Sequence, residues 1–168
     1  MTKRMGAASG APAELLRMAP VGAPLAAPDT AAHWSARYVG EAYVEGANDC
    51  AAFAVRVQYQ VFGRDIRLPM ARGLGARDWS RQIDALTEEY AVPTETPVDG
   101  DAVLMRCRGR LSHIGIYCEI GGVAYVLHAM KNAGQVCLHR LRDLDKQGLW
   151  LEGCYRWKSN DKTNERSE

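Results

Sequence analysis

The hydrophobic period changes once along this chain, and that change limits the folds open to it. Before about residue 90, apolar side chains recur at helical spacing. From Asp99-Gly100-Asp101 onward they alternate, in runs at 102–106, 113–119, 123–129, 135–140 and about 151–157. Helices first and a meander of strands after them predict an α+β domain, with an antiparallel β-sheet packed against an N-terminal helix. That helix begins at Asn48-Asp49-Cys50, where Asn48 or Asp49 supplies the cap, and runs to about Phe62 before Gly63. Cys50, Ala54, Val57 and Val61 fall on its buried face. A shorter helix over His33 to Tyr38 precedes it. A further one, capped by Asp78 and closed by Pro93 and Pro97, puts Trp79, Ile83, Leu86 and Tyr90 on one side.

Around this pattern the boundaries follow from composition. Residues 1–30 are rich in Ala, Pro and Gly and predict a flexible leader; residues 31–158 form the folded domain; residues 159–168 are polar throughout and predict a disordered tail. A length of 168 residues suits one domain. The net charge of +1 provides no field toward nucleic acid or an anionic membrane, and no apolar run approaches spanning length. Glu14, Arg17 and the prolines at 12, 20, 24 and 28 interrupt any secretory signal, so the protein is expected to be made in the cytoplasm. Five cysteines without a C-x-x-C pair argue against a disulfide scaffold and a structural zinc site; no metal and no other cofactor is expected. Cys107, Cys118, Cys137 and Cys154 are read as packing residues.

The chemistry concentrates on three side chains. Cys50 lies in the first turn of its helix, near the positive end of the dipole, a position that favours thiolate. His113 and His128 lie on neighbouring strands joined through Glu119-Ile120-Gly121-Gly122. A four-residue loop places His113 opposite His128; a two-residue Gly121-Gly122 turn places His128 opposite Gly115, one diagonal from His113. Either even-length loop leaves both rings on one face. One imidazole then takes the thiol proton while the second holds its tautomer and orientation. His33 and His139 have no comparable geometry from spacing and are read as structural. Arg106, Arg108 and Arg110 alternate before the His113 strand and are read as a solvated segment.

In their order these elements resemble the NlpC-type cysteine peptidases, papain-like endopeptidases of the cell wall. The matching pieces are Tyr43-Val44-Glu45-Gly46, Asp49-Cys50, Gly100-Asp101, His113-Ile114-Gly115-Ile116-Tyr117 and Leu127-His128-Ala129. The resemblance implies a papain-like fold and hydrolysis of a peptidoglycan stem peptide, most often at the γ-D-glutamyl bond to diaminopimelate. It implies Cys50 as nucleophile, His113 as base and His128 as its orienting partner. Tyr43 and Asp49 are then expected to serve oxyanion stabilisation or substrate positioning, the Tyr43 hydroxyl beside the Cys50 N–H. The short loop before the cysteine is most similar to the version found in phage tail and tail-tip proteins, which implies carriage by a tail or virion and tail-tip proteins as partners. Ala51-Ala52 stand where many members have Ser-Gly, so the amino end of the stem peptide is not expected to be held in the same way. A tail-assembly component with weak or relict catalysis, and an amidase or acyltransferase using the same three residues, are the alternative readings.

Overall fold

The computed structural model describes residues 33–66, 68, 90–107 and 109–158, and for Arg110 and Leu111 the backbone alone. The leader, the tail, Arg108 and the helix expected from Asp78, apart from Tyr90, lie outside these residues. The described chain is α+β. One α-helix, α1 (Cys50–Phe62), packs on a six-stranded antiparallel sheet built from β1 (Ala91–Pro93), β2 (Ala102–Cys107), β3 (Arg110–Ile120), β4 (Val123–Met130), β5 (Gln135–Arg140) and β6 (Leu149–Trp157). The strand order is β1-β6-β2-β3-β4-β5.

Alternation divides each central strand between two cores. Ile114, Ile116, Cys118 and Ile120 of β3, with Tyr125, Leu127 and Ala129 of β4, pack against Phe53, Ala54 and Val57 of α1. Burial of such side chains contributes ~1.5–3 kcal/mol each. Residues of opposite parity, Val103, Met105, Tyr117 and Val126, face the other way and are covered by Leu144 and Leu149. Both faces of the sheet are therefore dry at its centre.

Asp49 caps α1: its Oδ1 accepts from the N–H groups of Ala51 and Ala52 at 3.1 and 3.0 Å. Gly63, at φ 65°, ends the helix in the left-handed conformation that an L side chain resists. The far end of α1 is tied to the sheet at Gly100. There the carbonyl accepts from Gln58 Nε2 at 2.7 Å and Trp157 Nε1 at 3.0 Å, and the Phe62 ring lies where a Cβ would stand. Asp101, fully buried, accepts from Val98 N at 2.9 Å and pairs with Arg156 at 3.1 Å. Gly100-Asp101 thus starts β2 and joins three elements; it stands at the fold's hinge between helix and sheet.

A second brace fixes the 3-10 turn Trp34–Tyr38. Ser35 Oγ lies 2.8 Å from His33 Nδ1, and His33 Nε2 lies 3.0 Å from Asp99 Oδ2. These are the residue types of a hydrolytic triad, but Ser35 has no exposed surface and cannot reach a substrate. His33 is structural.

Candidate active site

The turn between β3 and β4 is the tighter of the two geometries that the sequence allows. Ile120 pairs with Val123, and Gly121 and Gly122 take φ 58° and 73°, both in the left-handed region that a two-residue turn requires. His128 accordingly falls opposite Gly115. A Cβ built on Gly115 would stand 3.2 Å from His128 Cβ and under 3.0 Å from Val126 Cγ1. Gly115 is extended, so what it supplies is space: it lets β4 close down until His113 Nε2 and His128 Nδ1 lie 2.7 Å apart. The rings meet edge to face at 85°.

Both rings stand on the sheet face away from α1, since they alternate with the residues that α1 covers. The β3–β4 ladder ends at Ile116 and Leu127. Tyr117 N donates to Asp101 O at 2.8 Å toward β2, so even-numbered donors of β3 point toward β4, and Ile114 N–H is left over where the two strands part. The backbone N–H groups of Ile114, Ala51 and Cys50 lie near enough to the Cys50 sulfur to favour its thiolate form. The thiol thus lies close to Ile114, the residue next to His113. Cys50 and His113 are not hydrogen-bonded to each other, and His113 Nδ1 has no partner among the described residues.

Burial overrides the helix dipole at this sulfur. Cys50 is only half-buried as a residue, yet shielding of the sulfur raises the thiol to about 11; the three N–H groups oppose this and Asp49 adds to it. Burial also lowers His113 to about 4. Both shifts favour the neutral forms, thiol and imidazole, against the thiolate that the helix dipole alone would favour.

Tyr43 lies on the segment that leads into α1. The segment before α1 runs along the outer edge of β5, with Gly40 N donating to Val136 O at 2.9 Å and Tyr43 N donating to Gly134 O at 2.9 Å. Burial first, then Cys50, Asp49 and Glu45, raise the Tyr43 phenol to about 12. Asp49 is placed differently from its expected role. Its second oxygen, Oδ2, accepts from Gly46 N at 2.9 Å, so the carboxylate is engaged by backbone on both sides and holds the loop and the helix start instead of substrate. Asn48, the other candidate cap, donates to Ala42 O at 2.7 Å and accepts from Arg56, which also pairs with Glu41.

One residue that the sequence reading set aside belongs here. His128 Nε2 lies 2.9 Å from His139 Nδ1, and His139 sits opposite Val126, on the imidazole face of the sheet. The other four thiols are free, and one of them, Cys137, pairs directly across from His128. Among the described residues, no cluster of three His, Cys, Asp or Glu side chains is arranged to hold a metal ion, and no helix is long and apolar enough to cross a membrane. No protein-family model matches the chain, and no curated protein matches it.

Proposed function

We propose that the protein is a cysteine endopeptidase of the NlpC type that hydrolyses peptidoglycan stem peptides, with the γ-D-glutamyl bond to diaminopimelate as its first candidate. The observation that carries this reading is the constellation at the parting of β3 and β4. A helix-mouth thiol lies near the backbone of Ile114, the neighbour in sequence of His113, whose Nε2 lies 2.7 Å from a second imidazole. Cys50 Sγ attacks the scissile carbonyl while its proton passes to His113 Nδ1, the nitrogen without a partner among the described residues. The negative charge on the carbonyl oxygen is met by the Cys50 N–H, since Asp49 already engages those of Ala51 and Ala52. The Tyr43 hydroxyl is the second donor; one such donor contributes ~3 kcal/mol. Collapse returns the proton from His113 to the leaving amine and leaves a thioester on Cys50. Water then attacks the thioester, gives a proton to His113, and the carboxylic acid and free thiol are regenerated.

The resemblance to tail-tip members extends the proposal to delivery by a phage tail, with tail-tip proteins as partners. Incubation with defined muropeptides, followed by product masses, tests the activity: a mass gain of one water at a single amide supports hydrolysis, and transfer products would point to an acyltransferase. Cys50→Ala should abolish turnover while retaining the melting temperature. Retained turnover in that variant overturns the assignment.

A further inference from the structure

The hydrogen bond between His128 and His139 extends the imidazole pair into a row of three. We propose that His139 is a positioning residue of the Cys50 site: it sets the protonation pattern of His128, and through it that of His113, and receives the positive charge formed during acyl transfer. This inference rests on the hydrolase reading above.

Proton counting carries the first half. Each ring-to-ring bond holds one proton, and a neutral imidazole has one to give. For His113 Nδ1 to accept from the thiol, the His113 proton must lie on Nε2, donated to His128 Nδ1. His128 must then carry its own proton on Nε2, donated to His139 Nδ1. His128 has no exposed surface, so water cannot accept that proton in place of His139. The state in which His113 is a base thus requires an acceptor at the position of His139 Nδ1.

Charge placement carries the second half. Among the described residues no carboxylate is hydrogen-bonded to any of the three rings. The titratable groups that act on them from β3, β4 and β5 are the rings themselves: burial lowers His113 and His139, and burial together with His113 and His139 lowers His128. Cys137 opposite His128 is a thiol raised by burial, Arg140 pairs with Tyr125 on the α1 side, and Arg142 and Asp143 after β5 lie near each other. His128 is enclosed, whereas His139 is only half-buried. Once His113 has taken the thiol proton, a shift from His113 Nε2 to His128 Nδ1 and another from His128 Nε2 to His139 Nδ1 put the charge on the half-exposed ring. Reversal of both shifts restores the proton for the leaving amine, and no proton is gained or lost overall.

The test is ring nitrogen NMR on the full chain, combined with pH profiles of muropeptide hydrolysis for wild type, His139→Gln and His139→Leu. The wild type should show protons on Nε2 of His113 and His128 at neutral pH. His139→Leu should disturb that pattern at both rings and lower kcat by ~10–100-fold, the usual effect of losing an outer partner of a functional imidazole. His139→Gln, whose carbonyl can accept from His128, should restore the pattern and part of kcat, with the acid limb of the profile displaced. Protons on Nδ1 of His113 and His128 in the wild type overturn the proposal, even if no variant folds. So does a His139→Leu protein with unchanged nitrogen shifts, or with unchanged kcat and pH profile. Absence of hydrolysis by the wild type sinks the hydrolase reading alone and leaves the proton arrangement to be decided by NMR.

Discussion

Gly115→Ala isolates the one close approach on which the imidazole row depends. The new methyl would stand under 3.0 Å from Val126 Cγ1, 3.1 Å from Met105 Cε and 3.2 Å from His128 Cβ, whereas ordinary contact begins at 3.4 Å. Met105 Cε is the end of a flexible chain and yields easily. Val126 does not: it is fully buried on a paired strand, with Leu144 and Leu149 in the same core. β4 must therefore move away from β3 by more than the 0.4 Å separating 3.0 from 3.4 Å. Overpacking of this kind costs ~1–3 kcal/mol, or about 4–12 °C in Tm for a domain of this size. The same displacement stretches the His113–His128 bond, so activity should fall further than stability. Val126→Ala alone leaves a void, but in the double variant the alanine methyl enters it. The two substitutions should thus be less harmful together than their sum, by ~1 kcal/mol. Urea melts of the four proteins measure this. A Gly115→Ala protein as stable as wild type, or strictly additive changes, would refute the claim that β3 and β4 touch here.

Stability should also depend on pH through the rings. All three have folded pKa values below the unfolded 6.5, so the unfolded chain binds more protons and stability rises with pH. The contribution is complete above 6.5 and is lost as pH falls toward the folded value of about 4 for His113, at up to ~1.4 kcal/mol per pH unit while His113 titrates; the half-exposed His139 contributes less, because solvent screens it. Denaturant midpoints at pH 7.5, 6.0 and 5.0 should decline, and His128→Gln should flatten the decline; a flat wild-type profile contradicts the burial of the rings. Asp49→Ala should cost ~1–2 kcal/mol through loss of the cap, and Asp49→Asn should recover most of it along with activity. A stable but inactive Asp49→Asn protein would show that the carboxylate charge serves the chemistry.

The central strands were legible because each has one face against α1, which forces the alternation seen at Ile114, Ile116, Cys118 and Ile120. β1 was not. It is three residues long and ends in Pro93, which reads as a helix stop but is tolerated on an edge strand such as this one. His139 was not legible. The runs 123–129 and 135–140 leave five residues between them, an odd connection that would turn His139 to the opposite face. In the structure Met130 joins β4 and pairs with Gln135, the connection becomes four residues, and His139 falls opposite Val126 on the face of His128. The thiol's protonation was not legible, because the helix dipole is visible in a capping motif whereas desolvation depends on what closes over the sulfur.

A neutral resting site has a consequence for how such a centre is built. An imidazolium facing a thiolate is usually maintained by a solvated or carboxylate-backed ring, and here the backing groups are imidazoles in a dry layer. Repulsion between His113, His128 and His139 penalises any second charge, so the row accommodates one proton above neutrality at most. On the proposed mechanism, charge would arise only when a carbonyl is in place to take electrons from sulfur, with the oxyanion beside the Cys50 N–H. The fold's parts serve that condition together. Gly115 allows the rings to touch, and Asp49 fixes the helix start that carries the sulfur.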